Sequence, residues 1–70
     1  MKLRIARIEN GFSQKELALK VGVSQQTIAK WEKGITTPSQ FSQIRAISNE
    51  LDAQPKAIFP DIFSQLQEAE

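Results

Sequence analysis

An all-α domain of five short helices is the fold expected for this chain. Apolar residues recur at three- and four-residue spacings, capping residues stand just ahead of those runs, and glycines or prolines punctuate them. Lys2 to about Asn10 reads as the first helix, with Leu3, Ala6 and Ile8 turned inward and Asn10-Gly11 ending it. Phe12 then fills the core ahead of the next helix.

Ser13 and Glu16 have the spacing of a capping box, in which the hydroxyl accepts from an early amide and the carboxylate reaches back to the Ser13 N–H. Leu17, Ala18 and Val21 share one face of the second helix. Gly22 follows, where a left-handed backbone ends a helix at low steric cost. Ser24 is the next N-cap, only two residues on, so the second and third helices are expected to cross steeply.

At roughly 100° per residue, Ile28 centres the buried face of the third helix with Trp31 and Ser24 beside it. Gln26, Ala29, Lys30 and Lys33 fall opposite, with Gln25 on the flank. After Gly34, Thr37-Pro38-Ser39 turns into a fourth helix, from about Pro38 or Ser39 to Leu51, with Phe41, Ile44, Ile47 and Leu51 on its inner face. Asp52 to Pro55 forms a turn with proline at a first helical position, opening a short fifth helix to about Phe59. Ile58 and Phe59 are expected to pack inward. Residues 1–60 thus form the domain, and 61–70 a tail. Asp61 can cap a short sixth helix whose Ile62, Phe63 and Leu66 form an apolar strip, either folding back on the core or meeting a second subunit.

Seventy residues without cysteine are expected to make one small domain with neither disulfides nor thiolate metal sites. With no apolar block long enough for a signal peptide or a bilayer, the expected location is the cytoplasm. The chain also lacks histidine, and its carboxylates stand at capping or solvent positions, so no enzyme, no cofactor, no metal and no small-molecule substrate are expected. The net charge is only +1, yet it is polarised. Up to Gly34 seven basic residues face three acidic ones, and from Ile35 on two basic residues face five acidic ones. That asymmetry turns the first half toward a polyanion.

The outer face of the third helix has the chemistry to meet one. A glutamine amide pairs with the N6/N7 edge of adenine, a lysine reaches guanine or a phosphate, and a small apolar Ala29 admits close approach and touches a thymine methyl. Gln25, Gln26, Ala29 and Lys30 are therefore the candidate base-reading residues.

The same residues carry a family resemblance. Ser13-Gln14, Leu17-Ala18, Val21-Gly22-Val23-Ser24, Thr27-Ile28, Trp31-Glu32, Gly34 and Pro38-Ser39 resemble the helix-turn-helix family of the lambdoid phage repressors and Cro proteins, from Leu3 to about Phe59. The resemblance implies that the helix-turn-helix lies at helices two and three, and that Gln25, Gln26 and Lys30 take the groove-facing positions. It implies that Gln14 holds a phosphate at the start of the second helix, and that Arg7 pairs with Glu32 across the domain. Ser24, Lys33, Thr36, Thr37 and Arg4 complete the candidate phosphate contacts. Relatives often carry basic residues where this chain has Ile35-Thr36-Thr37-Pro38, so the grip there is expected to be weaker.

The expected function is a transcriptional regulator of repressor or Cro type that binds double-stranded DNA as a symmetric homodimer on a palindromic operator. Recognition helices would sit about 34 Å apart. The alternative is a module that binds a second regulatory protein, such as an antirepressor, a repressor modulator or an antitoxin, on the same scaffold.

Overall fold

The computed structural model describes residues 2–60 and 62, and the described residues are helical with no strand. The helices are α1 (Lys2–Glu9), α2 (Gln14–Val21), α3 (Gln25–Lys33), α4 (Phe41–Leu51) and α5 (Pro55–Ile58). None is long and apolar enough to cross a membrane.

Side-chain oxygens start α2 and α3. The Ser13 Oγ accepts from the Glu16 N–H at 3.0 Å and the Glu16 carboxylate accepts from the Ser13 N–H at 2.9 Å, a complete capping box. At α3 the Ser24 Oγ accepts from the Thr27 N–H at 3.1 Å. The ends of these helices follow one rule as well. Gly22 (φ 77°) and Gly34 (φ 76°) take the left-handed conformation that lets the next amide turn back to the last carbonyls, Val23 N to Ala18 O at 3.0 Å and Ile35 N to Lys30 O at 3.0 Å. Asp52 ends α4 the same way at φ 49° without being glycine, and Ala53 N reaches Ser48 O at 3.1 Å.

The connections from α2 to α3 and from α4 to α5 are three residues long, Gly22 to Ser24 and Asp52 to Gln54, so these helices change direction sharply and their apolar faces converge on one core. Leu3, Leu17, Ala18, Ile28, Trp31, Ile44, Ile47, Leu51, Ile58 and Phe59 are buried there. Helix α2 packs against α3 and α4, while α1 packs against α3 and α5. The Trp31 ring meets Phe59 edge-on, with centroids 6.3 Å apart and planes at 88°. Phe12, Val21 and Ile62 are half-buried against this cluster. Each buried aliphatic side chain of this kind contributes roughly 1.5–3 kcal/mol before the entropy of ordering it is subtracted.

Three expectations need correction. Ile8 is 55% exposed. Leu3 and Ile8 lie five residues apart, about 140° around the helix, and the inward position one turn after Leu3 belongs to the buried Arg7. Phe41 is 59% exposed because α4 begins there rather than at Pro38 or Ser39. Its side chain leans toward the helix N-terminus, off the end of the core. Pro38 itself is buried, so it anchors the extended segment before α4 instead of opening the helix. Of the expected apolar strip in the tail, only Ile62 lies within the described residues; Phe63 and Leu66 lie outside them, as does the Asp61 cap.

Candidate nucleic-acid interface

Two well-capped turns of helix, anchored from below, present the outer side of α3. Ile28 is fully buried and Trp31 nearly so, which fixes the rotation of α3 about its axis. Gln25, Gln26, Lys30 and Lys33 consequently stand exposed, and Ala29 is half-buried. The amides lie in the first turn, where backbone N–H groups are free, and the lysines lie in the last turn, where the helix dipole favours cations.

The lower end of α3 is tied to the rest of the domain through Glu32. Arg7 Nε donates to Glu32 Oε2 at 2.5 Å, and the Arg7 terminal nitrogens donate to Glu32 Oε1 at 3.3 Å and to the Phe12 carbonyl at 2.8 Å. Gln14 Nε2 donates to Glu32 Oε1 at 3.0 Å. One carboxylate therefore gathers α1, the first residue of α2 and the last turn of α3. Only 10% of the Arg7 side chain and 4% of the Glu32 side chain are exposed, so this pair is desolvated rather than a surface ion pair.

This network positions the Gln14 side chain. Its side-chain amide gives one of its two N–H groups to Glu32, and its main-chain N–H is in the first helical turn and has no intrahelical carbonyl to bond. Sequence reasoning did not find that bond, because an 18-residue separation leaves no periodic signal. The Ser24 hydroxyl is also engaged, with Thr27 Oγ1 at 2.8 Å as well as the Thr27 N–H. Its proton is available to a phosphate when Thr27 is the donor of that pair.

Arg4, Arg7, Gln14, Ala29, Glu32 and Lys33 line a depression of about 300 Å³ where α1, the start of α2 and α3 meet. Since Arg7 and Glu32 neutralise one another, its remaining charges are Arg4 and Lys33, both exposed and both positive. Thr36 and Thr37 are exposed in the segment after α3, beside an Ile35 that is 65% exposed. The structure thus joins the amide-rich helix face to a cationic depression through Ala29 and Lys33, while Thr37 lines a separate groove with Trp31 and Phe59. Among the described residues no cluster of acidic, histidine or cysteine side chains has the composition of a metal site.

A family model described as Helix-turn-helix matches residues 3–53, which spans α1 through the end of α4. No curated protein and no solved structure matches the chain. A capped α2, a glycine turn and an α3 with a buried indole beneath a polar face fill that matched stretch. The chain belongs to the helix-turn-helix family of DNA-binding regulators, the type represented by the lambdoid phage repressors and Cro proteins.

Proposed function

We propose that this protein is a sequence-specific transcriptional regulator of the repressor or Cro type, and that it inserts α3 into the major groove of double-stranded DNA. Gln25 and Gln26 read base edges from the first turn, Lys30 reads one turn further on, and Ala29 allows the close approach. The observation that carries this reading is the rotation of α3. Burial of Ile28 and Trp31 leaves both amides and Lys30 exposed on a helix whose ends are capped and whose last turn is pinned by Arg7.

Phosphate contacts fix the register. Arg4 and Lys33 supply charge from the depression beside α3, the Gln14 main-chain amide donates from the start of α2, and the hydroxyls of Ser24, Thr36 and Thr37 donate from the flanks. One such face makes too few base contacts for strong discrimination, so the functional species is a symmetric dimer on an approximate palindrome, with half-sites about one helical turn apart.

Anisotropy of a labelled duplex, titrated with protein at increasing salt, tests ligand class directly. Binding weakens linearly on a log–log plot, with a slope of about 0.9 per phosphate contact. Tight binding to another protein with no measurable duplex binding at low salt would instead favour the protein-interaction reading, for which the exposed, uncharged Ile35 loop is the supporting feature.

A further inference from the structure

Among the described residues one hydrogen bond joins α1 to α4, and the side chain that makes it is Asn10. Its Nδ2 donates to the Ala6 carbonyl at 2.8 Å and to the Leu51 carbonyl at 3.1 Å. Both acceptors belong to the last four residues of a helix, α1 for Ala6 and α4 for Leu51, where the negative end of the helix dipole lies. As the last residue of α4, Leu51 also has a carbonyl with no intrahelical partner. A neutral donor suits that place and an anion does not. Elsewhere α1 packs against α3 and α5, so the Asn10 amide is its polar tie to α4.

The residue after Asn10 is Gly11, at φ 75° in an exposed turn, with open space where a Cβ would stand. No side chain on residue 11 shields its backbone nitrogen from the neighbouring amide. We propose that Asn10 is a deamidation site whose product releases α1 from α4. The Gly11 nitrogen attacks Asn10 Cγ, the Cγ–Nδ2 bond breaks, and the proton of the attacking nitrogen leaves with the departing ammonia as a succinimide ring closes. Water then opens the ring at either carbonyl, leaving aspartate or isoaspartate at position 10. The new carboxylate has no proton to offer Ala6 or Leu51, and it faces the negative ends of two helices. One change of charge thus turns two hydrogen bonds into two repulsions.

The fold sets the timing of this step. In the native turn the Gly11 N–H donates to the Ile8 carbonyl at 2.9 Å, and the Asn10 main-chain N–H donates to the Ala6 and Arg7 carbonyls. Attack requires that turn to open and Nδ2 to leave both of its acceptors, so conversion follows local opening at the end of α1. Arg7, which holds Glu32 of α3, lies in the same last turn, so loss of the Asn10 tie loosens the anchor of α3 as well.

The chain carries two asparagines, and the second is an internal control. Asn49 is also exposed, but it lies inside α4 and precedes Glu50, whose side chain crowds the attacking nitrogen. The folded full chain is held at mildly alkaline pH and digested with trypsin, and the peptides Ile8–Lys15 and Ala46–Lys56 are followed by mass and isoaspartate content. Conversion in the first should run about tenfold or more ahead of the second, and should accelerate in urea. Equal rates in the two peptides, or an unmodified Asn10 in folded protein after the time in which urea-unfolded protein converts fully, would overturn the site. The tie itself is read from Asn10→Asp and Asn10→Ala. At neutral pH Asn10→Asp should lower the melting midpoint by roughly 5–10 °C, more than Asn10→Ala does. That excess should shrink on acidification, since protonation removes the charge and restores a donor. An Asn10→Asp variant no less stable than Asn10→Ala would overturn the release of α1. Neither arm involves DNA, so its outcome stands apart from that of the proposed function.

Discussion

Replacing Glu32 by alanine should be among the most damaging single changes available outside the apolar core. The substitution leaves the Arg7 guanidinium in a site where only a tenth of its side chain is exposed, with the Phe12 carbonyl as its remaining acceptor, and strands the Gln14 amide. Removing one member of a desolvated pair costs about 3–5 kcal/mol, since the surviving charge stays buried. A domain of this length has a total stability of roughly 3.5–10 kcal/mol, so Glu32→Ala would remove a third of it or more. Urea unfolding followed by Trp31 fluorescence measures this directly, and at about 1–1.5 kcal/mol per molar the midpoint should fall by at least 2 M. The double variant Arg7→Met/Glu32→Leu should be far more stable than the sum of its parts, as no orphaned charge remains. Single variants each losing less than about 1 kcal/mol, with no coupling between them, would mean that the pair is solvated and that α3 is held by its apolar face alone.

Other perturbations separate the remaining parts of the account. Gly22→Ala places a Cβ in open space at φ 77°, so its cost of about 1–2 kcal/mol is purely conformational and should appear as a lower urea midpoint with unchanged m. Hydrogen bonds from the Ser13 amide and hydroxyl, with Lys20 adding a smaller attraction, hold the Glu16 carboxyl below its ordinary range. A depressed carboxylate stabilises the fold above its unfolded pKa and loses that contribution as pH falls through the folded value. The stability difference between the wild type and Glu16→Gln should therefore be present at neutral pH and vanish on acidification; a difference constant with pH would contradict the capping role of the charge. Lys33→Ala should reduce the salt slope of duplex binding by about 1 without changing sequence preference, whereas Lys30→Ala should change the preference itself. Measured affinities on a panel of duplexes would distinguish these two outcomes.

Local chemistry was legible in the amino-acid sequence from spacing alone, whereas of the long-range chemistry the Arg7–Glu32 pair was legible only through the family resemblance. Ser13, Glu16, Gly22, Ser24 and Gly34 act within four residues of themselves, so their spacing alone locates the ends of α2 and α3. The polar side of α3 was equally readable, because a nine-residue helix with Ile28 and Trp31 inward has little freedom of rotation. Ile8 was misplaced because an apolar count along α1 cannot anticipate that an arginine takes the inward position. That position becomes acceptable only through Glu32, 25 residues away. The start of α4 was set too early for a similar reason, since burial of Pro38 depends on neighbours that no local pattern names. Gln14 shows the same limit at the site: nothing in the local pattern indicates that its side chain also donates to Glu32, 18 residues away.

The central claim is that the exposed side of α3 reads bases, and selection of bound sites from a random duplex pool tests it most directly when run on the wild type and on Gln26→Ala. The account predicts a palindromic consensus with half-site centres about 10 base pairs apart. It also predicts that the alanine variant loses preference at the same position in each half-site while retaining phosphate-driven affinity. An identical consensus from both proteins, or none from either, would contradict it.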